Sequence, residues 1–232
     1  MKLRLLAGAV ALAVSVPFAV SATALPQQAK PAQHEHATTA HHTAKKAEAA
    51  TAQTAPELHK ALRSLWHGHI VATRDYAFAV HKGDAEAATK AADATVANAK
   101  DIANAVAGFY GQAGGDGVLK LLGGHWAGVK AMTDAQHANN AAGVDKAMQD
   151  LTANAADLAK FLHTANPNNW PQDAVEGLLL GHVAGHKAQI AQIMAGDSKG
   201  EAVTWQSMQD HMNTIADALA DGLAKQFPDK AK

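Results

Sequence analysis

The stretch GLLLGHVAGHKAQI (177–190) sets two histidines, His182 and His186, four residues apart. On a helix such a pair shares one face, one turn apart. Two imidazoles so placed can ligate a transition metal, or they can hydrogen-bond inside a core. The choice depends on what else in the chain joins them.

The dipeptide Gly-His recurs inside helical patterns as Gly68-His69, Gly124-His125 and Gly181-His182, at spacings of 56 and 57 residues. The similarity extends beyond two letters, as an internal repeat should. Four positions before each histidine is a leucine (Leu65, Leu121, Leu178), and five after it a base (Arg74, Lys130, Lys187). Fourteen and fifteen positions after it stand Gly83-Asp84, Asn139-Asn140 and Gly196-Asp197, turn residues followed by good helix N-caps. Twenty-nine after it come Asn98, Asn154 and His211. The expectation is three copies of one helical hairpin. Each histidine and its +29 partner are equidistant from the turn, so they sit at one height, about 21 Å from it. His69 then faces Asn98, His125 faces Asn154, and His182 faces His211.

Periodicity puts these histidines inside. Leu62, Leu65, Trp66, His69, Thr73 and Tyr76 share a stripe, as do Val175, Leu178, Leu179, His182, His186 and Ile190. A buried imidazole must find partners, because an unpaired buried polar group costs about 1–3 kcal/mol. A hydrogen-bond layer would satisfy them and fix register. So would a transition metal (copper, zinc or nickel) held by His182, His186, His211, His69 and His125, at about 2.0–2.1 Å for a zinc–nitrogen bond. The third hairpin favours the metal, since it alone replaces Asn with His211 and adds His186.

Elements must position these residues. Residues 1–24 read as a signal peptide: Lys2 and Arg4, then a short apolar run, then Ser21-Ala22-Thr23-Ala24. The run is short for a membrane span, and there is no cysteine for a lipid anchor, a disulfide or a thiolate ligand. The expectation is an exported protein, periplasmic or secreted, with no membrane anchor after signal cleavage. Residues 25–55 read as a disordered tether, rich in Ala, Gln, Thr, Pro and Lys. Its His34, His36, His41 and His42 are candidate loose metal sites. Residues 56–228 read as one all-α domain, a helical bundle of six helices near 57–81, 84–109, 117–137, 140–164, 172–195 and 200–226. Breaks fall at clusters such as GQAGGDG (111–117) and NPNNWP (166–171).

Other candidates read as ordinary. His59, His67, His81, His137 and His163 fall on polar faces or helix ends and should be solvated. Met132, Met194, Met208 and Met212 read as core filler, and Trp66, Trp126, Trp170 and Trp205 as packing anchors. A net charge of −1 excludes a strong nucleic-acid footprint. The Glu-x-x-His pairs of carboxylate di-iron bundles, the C-x-x-C-H haem attachment motif, the Gly-rich phosphate loop and the nucleophile elbow are all missing. No acid–base pair stands out, so binding ranks above catalysis.

The segments LWHGHIVATRDYAF (65–78), NAKDIANAVAGFYG (98–111), LLGGH (121–125), NAADLAKFLHTANPNNWP (154–171), LLLGHVAGHK (178–187) and MNTIADALADGLAKQFP (212–228) resemble a family of small bacterial all-helical proteins. Its patterns are LWxxHVxWTR, NADEIAxFL and GIxxQFP, and its members often carry the label acetylglutamate kinase. The resemblance implies the helical fold and three of the histidine positions, and brings no chemistry. No phosphate loop of an amino-acid kinase is present, and His186 stands near the family's usual threonine. The reading is an exported helical protein that binds a transition metal for buffering, delivery or sensing. The alternative is a structural or ligand-binding module whose histidines form only a hydrogen-bond layer.

Overall fold

The computed structural model describes residues 55–231. The expected signal peptide, and the tether with His34, His36, His41 and His42, lie outside the described residues, Ala55 excepted. The described residues form five α-helices and no strand: α1 (Pro56–Lys82), α2 (Ala85–His137), α3 (Ala141–Ala165), α4 (Gln172–Ala195) and α5 (Ser198–Gln226). None of these helices is long and apolar enough to cross a membrane.

Five helices replace the expected six because the break over 111–117 shrinks to one residue. Gly111 has φ 76° and ψ 177°, a conformation that glycine adopts without a Cβ clash, and helix continues on both sides of it. Gln112 bonds Asp116 along the exposed face at 2.7 Å. The edge of Phe161 lies where a Cβ on Gly117 would be. Gly114, Gly115 and Gly117, expected in a loop, are therefore packing contacts within helix.

The other turns follow their residues. Gly83, Asn139 and Gly196 take positive φ (70°, 54° and 70°) where one helix ends. Asp84, Asn140 and Asp197 then accept the backbone N–H of Ala87, Gly143 and Gly200 at 2.9–3.0 Å. These are side-chain N-caps of the usual kind. Between α3 and α4, Asn166 donates to the Gly222 carbonyl at 2.9 Å and Trp170 Nε1 to the Ala218 carbonyl at 3.1 Å. Helices α1, α4 and the second half of α2 meet at the centre. Two apolar clusters form the core. One includes Leu62, Ile102, Leu122, Leu158 and Ile215, the other Val129, Met132, Leu151, Val183 and Ile190. His125 falls between the stretches of α2 that contribute to each, and His182 between those of α4.

Candidate metal centre

His69 comes from α1, His125 from the second half of α2, and His182 with His186 from α4. All four are buried, at 3, 7, 4 and 1% exposure. The ring centroids of His69, His125 and His182 form a nearly equilateral triangle, with sides of 5.5, 5.6 and 5.5 Å. His186 completes a tetrahedron of rings, 5.9, 5.7 and 4.4 Å from those three. One ring nitrogen from each can be chosen so that all four lie within 4.8 Å of one another. The group could bind a metal ion. Tetrahedral zinc, at about 2.0–2.1 Å from each nitrogen, sets its ligands about 3.3 Å apart.

Burial determines the state of the imidazoles. Desolvation, then the neighbouring His125, drives the His69 pKa down to about 3. Desolvation drives His125 to about 4. His182 and His186 are pushed well below the ordinary value, again by burial first and by neighbouring imidazoles second. At neutral pH the cluster is four neutral nitrogen donors, the form that metals bind. The nitrogens are incompletely partnered. His182 Nε2 and His186 Nε2 lie 3.0 Å apart as one hydrogen bond. Among the described residues, His125 Nε2 and His182 Nδ1 are buried without a partner.

The remaining predicted residue, His211, lies outside this group. Its Nε2 donates to the Leu178 carbonyl at 2.8 Å. Asn98 does the same to Leu65 at 2.9 Å and Asn154 to Leu121 at 3.0 Å, each across 33 residues. Each accepting carbonyl already serves the N–H of the following histidine within its helix, so the side chain takes its second lone pair. The glycine before each histidine makes room. A Cβ on Gly68, Gly124 or Gly181 would meet Asn98 Nδ2 at 2.9 Å, Asn154 Nδ2 at 3.0 Å or His211 Cε1 at 3.1 Å. The +29 residues thus stand at the backbone just before the histidines and hold the helices close.

Other histidines divide. His67, His81 and His137 are exposed, as read from the sequence. His163 is half-buried, with Nδ1 at 2.8 Å from the Trp170 carbonyl. His59 departs from expectation: it is 3% exposed, with its nitrogens 2.9 Å from Asp217 and 3.0 Å from Asp221. Arg63 joins the same Asp217 at 2.7 and 2.5 Å. The acidic pair at 217 and 221, four apart on α5, was the overlooked signal. Sequence reasoning also missed Glu201, buried at 4%, which accepts Arg74 at 2.7 and 2.8 Å and Gln189 at 2.9 Å. Met132, Met208 and Met212 are buried in the apolar clusters. Trp66 stands edge-on to His69 with centroids 6.0 Å apart.

Comparison with family models, with curated proteins and with solved structures finds no match.

Proposed function

We propose that this protein binds one transition-metal ion through His69, His125, His182 and His186, for buffering, delivery or sensing rather than catalysis. The observation that carries the reading is the tetrahedron of four buried imidazoles in which His125 Nε2 and His182 Nδ1 lack partners. Buried polar nitrogens are rarely left so, and a metal would satisfy several at once. Copper, zinc and nickel all accept imidazole ligands. No carboxylate belongs to the group.

Three repeated hairpins underlie this centre in our reading. The three equivalent side-chain bonds to Leu65, Leu121 and Leu178 support it. Each hairpin delivers one histidine, and the third adds His186. Residues 1–24 direct export to the periplasm or beyond, and His34, His36, His41 and His42 add looser sites outside the bundle. The family resemblance of 57–228 is consistent with the helical fold.

A second reading has one observation in its favour. The 3.0 Å contact between His182 and His186 is a hydrogen bond that a metal would break. The layer would then serve only to fix the packing of the three inner helices.

Elemental analysis of untagged protein separates the two. One equivalent of copper, zinc or nickel, lost when His125 is replaced by Asn, supports the metal. Wild-type protein that neither contains nor takes up any of the three in the bundle rejects it.

A further inference from the structure

A cavity of about 740 Å³ opens between the helices. Its wall includes Trp66 of α1, Val106 and Leu121 of α2, Leu158 of α3, Leu178 of α4 and Leu219 of α5, so every helix contributes. Trp66 lies in the wall and also against His69. The volume is typical of small-molecule sites, which measure about 300–1,000 Å³. It is far larger than a packing defect. Its apolar wall is a poor host for water.

The wall is not uniform. Its exposed polar residues are Lys120 on α2 and Asp157, Lys160 and Thr164 on α3. They fall on the facing stretches of two adjacent helices, which locates the mouth. Two lysines against one aspartate leave the mouth with one net positive charge. Among the described residues neither lysine has an ion-pair partner; the lysine pairs are those of Lys130 with Asp134 and Lys146 with Asp150.

We infer that this cavity binds a singly anionic amphiphile, its hydrocarbon body inside and its acidic head between Lys120 and Lys160. The apolar wall supplies affinity in proportion to the hydrocarbon surface removed from water. The lysines select the head group by charge and add a modest, salt-sensitive increment at this exposed position. The site does not depend on the metal centre, and neither reading requires the other.

The test is titration of the full chain with hexadecanoate, hexadecanol and hexadecyltrimethylammonium, followed by the fluorescence of Trp66 and Trp170, both in the wall. We expect one equivalent of hexadecanoate to bind at least fivefold tighter than the alcohol, with the ammonium weaker still. The surface variant Lys120→Glu/Lys160→Glu should reverse the order of the two charged ligands. Val106→Trp should intrude into part of the cavity and weaken all three severalfold. If that variant fails to fold, the lysine variant still decides. Absence of saturable hexadecanoate binding would overturn the inference, as would affinities indifferent to head group and charge reversal. So would a dimer of this chain that Val106→Trp abolishes while no amphiphile binds. The same titration on His125→Asn protein should be unchanged, which separates this site from the metal centre.

Discussion

Asn154 Nδ2 donates to the Leu121 carbonyl at 3.0 Å, through the space left by the missing side chain of Gly124. That contact fixes the distance between α3 and the helix that carries His125. Gly123, its neighbour, faces nothing within 4 Å. The two glycines should therefore respond in opposite ways to the same substitution. Gly123→Ala should stabilise by about 0.5–1 kcal/mol, since glycine is a poor residue within a helix. Gly124→Ala should displace Asn154 and destabilise by about 0.5–1 kcal/mol net, as the lost hydrogen bond outweighs the propensity gain. In an Asn154→Ala background the propensity gain should reappear. Denaturant melts of the wild type and the four variants check this, and equal effects at 123 and 124 would contradict it.

Glu201 supplies a second test. Its carboxylate receives two bonds from Arg74 and one from Gln189 while almost fully buried. Glu201→Gln removes the charge and leaves Arg74, 27% exposed, beside a neutral amide. Breaking a fully buried pair costs about 3–5 kcal/mol. The partial exposure of Arg74 discounts this to about 2 kcal/mol. For a chain of this size that is a fall in Tm of about 4–8 °C, measurable by calorimetry. A change under 1 °C would show the pair to be energetically idle.

Acid should unfold the metal-free bundle early. His69 and His125 are held to about 3 and about 4 by burial, whereas in the unfolded chain they titrate near 6.5. Above that value both states are neutral and the full stability is present. Below it the unfolded state gains protons that the folded state refuses, so stability falls as pH falls toward the folded values. Each such imidazole withdraws about 1.4 kcal/mol per pH unit. Arg74 holds the Glu201 pKa below its ordinary value, so its contribution is lost only at lower pH, below the unfolded carboxylate range. Thermal melts from pH 7 to 4 should show a steep loss beginning near 6.5. His125→Leu should flatten it, whereas Glu201→Gln should lower the curve throughout the range above the unfolded carboxylate values and leave the slope near 6.5 unchanged. A Tm constant down to pH 5 would mean that the histidines are not buried as described.

Part of this was legible in the sequence. The turns at 83–84, 139–140 and 196–197 are local chemistry, and their residues name the caps directly. The stripes that contain His69, His182 and His186 likewise announce burial. Equal distance from the turn sets Asn98, Asn154 and His211 at the height of His69, His125 and His182 and no more. Height could not say whether a side chain meets an imidazole or the backbone beside it. Only the distance between helices decides that, and the glycines at 68, 124 and 181 set it. GQAGGDG reads as a loop by composition, because the partners that its glycines accommodate, such as Phe161, are distant in sequence. His59 was missed for the same reason: Asp217 and Asp221 lie more than 150 residues away. The cavity has no local signature at all, being the space between five helices.

The metal reading makes its sharpest statement by contrasting two histidines. His125 stands in the tetrahedron with an unpartnered Nε2, whereas His211 is engaged with Leu178. Asn98 and Asn154 already make the bond that His211 makes. His211→Asn should therefore preserve both the fold and its response to metal. His125→Asn should remove the response, because the shorter amide cannot stand in for an imidazole donor. A metal present at a hundred times its Kd stabilises by about 2.7 kcal/mol. That corresponds to about 5–10 °C for a domain of this size. The comparison is best made with His34, His36, His41 and His42 replaced by Ala in every protein, so that any sites outside the bundle do not contribute. Each is titrated with Cu²⁺, Zn²⁺ and Ni²⁺ at pH 7.5 and again at pH 5.5. The shift should shrink at the lower pH, because protons compete for the ligand nitrogens. A shift that survives His125→Asn, or one that His211→Asn removes, would place the metal elsewhere than in the four-histidine cluster.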